Sequence, residues 1–181
     1  MSSARLQLIP FALIILLISA CATKPPVTGG RVTVAADEGL LAVRFVSNWK
    51  GNERWLFETI VFDVHRIDPL GIEMLELRSN DDAQLIALRA GEYYWDQAVV
   101  NPYFVPFDPD AARFTISPGE ITYVGDITLF ITVKPFELIV DKLNVEDNQD
   151  ETLSRLRLDY GVLLEDYSLE GQIVELVMRE P

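Results

Sequence analysis

His65 is the only imidazole in the 181 residues, and Cys21 is the only thiol. In Phe62-Asp-Val-His65, a two-residue period puts Asp63 and His65 on one face of a strand. A carboxylate beside an imidazole can orient the ring for proton transfer, as in a hydrolytic dyad. No Gly-x-Ser-x-Gly elbow accompanies the pair, so the plainer reading is a polar pair on a solvated sheet face. Acid pairs recur at Asp81-Asp82, Asp108-Pro-Asp110, Glu146-Asp147, Asp150-Glu151 and Glu165-Asp166. Carboxylates suit calcium or glycoside chemistry. None of these has EF-hand spacing, and a chain with 28 acids against 15 Lys and Arg forms such pairs by chance. No catalytic group, metal or cofactor is expected. One Cys and one His exclude thiolate-rich and multi-histidine zinc sites. A formal charge of −13 disfavours nucleic acid.

The ligand candidate is aromatic. Tyr93-Tyr-Trp95 is followed by Tyr103, Phe104 and Phe107 in a Pro-rich stretch. In alternating register Tyr93 and Trp95 share one face and Tyr94 takes the other. One set belongs to the core. The other, with the loop, would form an exposed platform for a glycan or a protein partner. The candidate surface is Tyr94, Trp95, Tyr103, Phe104 and Phe107.

These residues must be held by the segment that follows the N-terminal 20. Residues 1–20 carry one charge, Arg5, and an apolar run with the core Phe11-Ala-Leu-Ile-Ile-Leu-Leu-Ile18. This is the layout of a secretory signal, and it is short for a membrane span. Its end, Ile18-Ser19-Ala20-Cys21, resembles the lipobox of bacterial lipoproteins. The resemblance implies cleavage before Cys21 and acylation of its thiol, palmitate-type chains included, which would anchor the protein in a lipid bilayer. Ala rather than Asp at position 22 resembles enterobacterial sorting signals for the outer membrane, and that resemblance implies its periplasmic face. Cleavage removes Arg5 and moves the formal charge from −13 to −14. Residues 21–30, Pro- and Gly-rich, read as a tether. Residues 31–181 read as one domain.

That domain alternates with period two. The expected strands are Arg31–Ala36, Leu40–Ser47, Leu56–Ile67, Ile72–Arg78, Gln84–Leu88, Tyr93–Val99, Arg113–Ser117, Ile121–Leu129 and Phe130–Val140. Short strands between Gly, Pro and Asn turns predict a mainly β fold, an antiparallel Greek-key β-sandwich. Leu88-Arg-Ala-Gly-Glu-Tyr93 has the spacing of a tyrosine corner, which pins a crossover between sheets. Ser117-Pro-Gly-Glu120 suits a type II turn, and the alternating segments either side predict a hairpin. Asp147-Asn-Gln-Asp-Glu-Thr152 predicts a helix start, with Leu153, Leu156 and Tyr160 on one face and Gly161 as its stop. Residues 172–178 would be a last strand.

Ala90-Gly-Glu-Tyr-Tyr-Trp95 and Phe114-Thr-Ile-Ser-Pro-Gly-Glu-Ile-Thr-Tyr-Val-Gly-Asp126 resemble motifs of small bacterial lipoproteins with a carboxypeptidase-regulatory or transthyretin-like β-sandwich, an immunoglobulin-like arrangement. The resemblance implies fold geometry and supplies no catalytic residues. Residues 96–112 depart from it. The leading functional expectation is a non-enzymatic binding or structural module of the cell envelope, meeting another envelope protein. The alternatives are glycan or small-ligand binding through residues 93–107, and an envelope hydrolase.

Overall fold

A computed structural model describes residues 23–24, 34–50, 59–68, 70–79, 82–100, 103–134 and 137–179. Residues 1–20, read above as a signal segment and including Ile18, Ser19 and Ala20, lie outside the described residues, as does Cys21. The strands are β1 (Thr23–Lys24), β2 (Glu38–Lys50), β3 (Thr59–Arg66), β4 (Gly71–Arg78), β5 (Ala83–Arg89), β6 (Gly91–Val100), β7 (Tyr103–Pro106), β8 (Arg113–Ile116), β9 (Glu120–Lys134), β10 (Glu137–Glu146) and β11 (Ser168–Gly171). One helix, α1, spans Gln149–Glu165. The first sheet has the order β1-β4-β3-β6-β7, with β8 also beside β6. The second has the order β10-β9-β2-β5, with β11 beside β9. The two sheets form the expected mainly β sandwich. The expected antiparallel pairing is corrected in part: among the described residues three pairings are parallel, β1 with β4, β2 with β9, and β11 with β9, because these partners are distant in sequence and no hairpin joins them.

Alternation decides the inner faces. Ile60, Phe62 and Val64 point inward from β3, and Phe45, Trp95 and Phe107 meet them in the core between the sheets. Phe62 meets Phe45 edge-on at 5.2 Å and Trp95 edge-on at 5.4 Å, and stacks on Phe107 at 6.3 Å. Such edge-to-face pairs set the rings' positive edges against negative faces. A second apolar layer lies on the outer face of the second sheet. There Leu40, Ala42, Leu85, Ile121 and Tyr123 pack against Leu153 and Leu156 of α1. Both faces of β2 and β9 are therefore buried over these stretches. That is why Leu40-Leu-Ala-Val43 is apolar without a break. It also explains why Ile121 to Ile127 does not alternate in burial.

The tyrosine corner is formed. The Tyr93 hydroxyl donates to the Arg89 carbonyl at 2.8 Å, where the chain leaves β5 of the second sheet for β6 of the first. Gly91 adopts φ +153° there, and a Cβ on it would stand 3.1 Å from Arg66 Cδ. Burial of Tyr93 pushes its hydroxyl pKa up to about 12.

Several expectations are corrected. Ser117–Glu120 is a turn with Gly119 at φ +73° and Glu120 N–H donating to Ser117 O at 3.3 Å. Its arms are not a hairpin, however. β8 pairs β6 in the first sheet, and β9 lies in the second. The turn is an arch between layers, because Phe114 and Ile116 face the inter-sheet core while Ile121 and Tyr123 face the helix. Ile121–Leu129 and the start of Phe130–Val140 are one strand, β9. The helix runs through Gly161 to Glu165, with Leu156 fully buried and Leu153 nearly so. Tertiary packing there outweighs the roughly 1 kcal/mol that a helical Gly costs. Val34 and Ala35, from the expected first strand, are not in a strand, and Ala36 lies in a turn. Thr23–Lys24, expected in the tether, instead adds to the β4 edge.

The final correction concerns residues 172–178. They form a strap, and the short strand precedes them as β11. Gln172 and Val174 N–H groups donate to Tyr123 and Val124 carbonyls of the second sheet, at 2.8 and 3.3 Å. Further on, Val177 O accepts from Asp108 N–H at 2.8 Å, and Arg179 N–H donates to Pro106 O at 3.0 Å. The strap thus crosses from one sheet to the other and inserts Val174 and Leu176 into the core.

Candidate functional site

Of the residues singled out for chemistry, Asp63, His65 and Tyr94 share the outer face of the first sheet. Across four strands, Ile72, His65, Tyr94 and Arg113 form one row. One row further along, Met74, Asp63, Gln97 and Pro106 are in register. A bulge separates them. Val64 pairs Trp95 while Asp63 pairs Gln97, which leaves Asp96 without an opposite residue. Bulges re-aim side chains. Here Trp95 and Ala98 point into the core, and Asp96 and Gln97 both lie on the half-exposed side.

The bulge reassigns the partners of the expected pair. Asp63 does not orient His65. It accepts from Gln97 Nε2 at 2.6 Å, and its Oδ1 is buried without a protein hydrogen bond. His65 Nδ1 shares a 3.0 Å hydrogen bond with the Tyr94 hydroxyl, and Nε2 lies 3.5 Å from Asp96 Oδ2. With the ring proton on Nε2, facing Asp96, Nδ1 accepts from Tyr94; this tautomer is assigned from the network. Asp96 is also approached by Arg179 of the strap at 3.5 Å. Nearby, Arg113 bridges Asp110 at 2.9 Å and Glu92 at 3.2 Å. The hydrogen bonds to Asp110 and then Glu92 raise the Arg113 pKa further.

The aromatic platform is smaller than expected. Trp95 and Phe107 are fully buried between the sheets, so neither belongs to a surface. Trp95 takes the core side with Tyr93, as its register with Val64 demands. Phe107 is drawn inward by its stacking on Phe62 and its bridge to Met178. Tyr94 and Tyr103 are half-buried, and Phe104 is 63 % exposed. Asp96, Gln97 and Arg179 were missed by the sequence reading. The available signal was the spacing of core residues at 93, 95 and 98, which breaks the period of two where the bulge occurs.

A second polar cluster lies on the opposite side of the sandwich. Asp126 accepts from Tyr123 Oη at 2.9 Å, Thr152 Oγ1 at 2.8 Å, Asn148 Nδ2 at 3.3 Å and Arg44 at 3.1 Å. It ties β2, β9 and the start of α1 into one network. Burial, followed by the Asp126 carboxylate, raises the Tyr123 pKa, opposed by a hydrogen bond from the Asn148 backbone. Gly125 beside it has φ +110°, and a Cβ there would meet Val145 Cγ1 at 2.4 Å. With every donor engaged and Asp126 5 % exposed, this cluster is scaffold.

Among the described residues, no group of three His, Cys, Asp or Glu is placed to hold a metal ion. No helix among them is long and apolar enough to cross a membrane. No family model, no curated protein and no solved structure matches the chain. Fold and site define a two-sheet β-sandwich with a helix over one outer face and an open, mixed polar and aromatic face on the other.

Proposed function

We propose that the protein is a membrane-anchored lipoprotein of the bacterial cell envelope, acting there as a non-enzymatic binding or structural module. Its place is the periplasmic face of the outer membrane, where it meets another envelope protein. The observation that carries the reading is that the sole thiol, Cys21, ends an apolar run directly behind Ile18-Ser19-Ala20. The open face of the first sheet supports the binding half. Its chemistry-bearing groups engage one another across a flat surface: His65 with Tyr94 and Asp96, and Asp63 with Gln97. Such a face suits recognition of a partner surface, with Tyr94 and Phe104 as its aromatic contacts.

Cys21→Ser removes the acylation site. The variant is expected to move from the membrane fraction to the soluble envelope fraction. A variant that remains with membranes overturns the anchoring.

A further inference from the structure

We infer that the end of the first sheet where β4 begins, with Leu70 just before the strand and Ile72 at its start, is the part of the fold that rests on the lipid bilayer. The inference builds on the anchoring proposed above and adds an orientation to it. Its first support is the pairing of β1 with β4. Thr23 pairs with Met74 and Lys24 with Leu75, in parallel. A parallel register means that the chain entering Thr23 comes from the Gly71 end of β4. Cys21 is two residues earlier, and extended chain spans at most about 3.6 Å per residue. An anchor at position 21 is therefore tethered to that end of β1 by at most about 7 Å of chain. The acyl chains leave the protein at that corner of the first sheet.

The second support is independent of the cysteine. Leu70 is 88 % exposed and Ile72 is 64 % exposed. They are two of the large apolar side chains most open to water, and they adjoin within one turn and strand start. The row that begins with Ile72 continues through His65 to Tyr94, whose ring and hydroxyl suit the boundary between acyl chains and water. By contrast, Leu158, 86 % exposed, stands on α1, which covers the second sheet on the far side of the sandwich. A short anchor at one corner can bring only one of these two apolar sites to the membrane. The register of β1 selects Leu70 and Ile72.

The placement has a consequence for the open face. A molecule resting on this end stands with its first sheet rising from the bilayer. Phe104, towards the other end of the face, is then left for a partner.

The test uses the full acylated chain in vesicles of phosphatidylethanolamine and phosphatidylglycerol. Acylation consumes the native thiol, so Leu70→Cys and, separately, Leu158→Cys each provide a single reactive site for an environment-sensitive dye. The dye at position 70 is expected to shift to the blue and to be quenched by spin-labelled lipid. The dye at 158 is expected to do neither. Equal water-like emission at both sites from vesicle-bound protein overturns the orientation and leaves the anchor standing. Shielding of position 70 in native membranes but not in vesicles assigns this end to a protein partner and also overturns it. A chain that carries a free Cys21 thiol and does not bind vesicles overturns both the orientation and the anchor. Leu70→Glu combined with Ile72→Glu is a second check: the acylated variant is expected to stay bound but to gain protease accessibility at the start of β4.

Discussion

The two outer faces of the sandwich use similar residues to opposite ends. Each carries an aspartate bonded to a tyrosine-containing network: Asp126 with Tyr123 beneath the helix, and Asp96 with His65 and Tyr94 on the open sheet. Beneath α1 the carboxylate is buried and satisfied by four side chains from three elements. On the open sheet the groups are half-exposed, and His65 and Asp96 are 3.5 Å apart. Polar groups stabilise a fold when water is excluded and each has a partner. In reach of water the same chemistry adds little to stability and is available for recognition. Burial, rather than residue type, assigns the two roles.

The contrast can be broken in three places. Asp126→Ala should have the largest effect, since it removes from a buried site the one carboxylate that accepts from Arg44, Asn148, Tyr123 and Thr152. A loss of about 3 kcal/mol is expected, read as a lower urea midpoint with an unchanged slope. Tyr93→Phe should cost about 1 kcal/mol by leaving the Arg89 carbonyl without its donor. It also carries a pH signature. Burial raises the folded Tyr93 pKa from 10.0 to about 12, so the folded state holds its proton more tightly than the unfolded chain. That contribution is fully present below about pH 10 and is lost as pH rises through about 12. The stability gap between wild type and Tyr93→Phe should therefore narrow over that window. The wild type alone is a poorer readout, because Tyr123 and Tyr160 are raised as well. The smallest effect belongs to His65→Ala, expected to change stability by less than about 0.5 kcal/mol. If it matched Asp126→Ala, the open face would be scaffold too, and the division between the faces would fail.

What the sequence revealed follows the range of the forces involved. The tyrosine corner was legible because Leu88, Gly91 and Tyr93 make it locally, within a few residues. The bend at Ser117–Glu120 was legible for the same reason: Pro118 and Gly119 dictate backbone angles. Where its arms go was not. Alternation marks a strand but not its neighbour, and β9 finds β2 in parallel from far along the chain. The partner of His65 was hidden by the single-residue bulge at Asp96, which shifts register after Trp95. The reading of Trp95 and Phe107 as surface failed because an aromatic run contributes to both sides of a sheet. Only the packed neighbours, Phe62 above all, show which side each ring takes. Gly161 was read as a stop because local propensity favours one, whereas Tyr160 before it and Tyr167 after it both pack against the second apolar layer, and α1 runs on to Glu165.

The parallel union of β2 and β9 also sets an order of events in time. Leu40 lies beside Ile121 and Lys50 beside Thr132, so the middle of the second sheet waits for most of the chain. Pairing between such distant segments is entropically late, and folds dominated by it form slowly. Until β9 arrives, β2 has no neighbour on that side, and the second wall of the core is only β2 and β5. A chain that stays open until its last third is available leaves the edge of β2 exposed to competing pairings for longer than a fold built from neighbouring hairpins would.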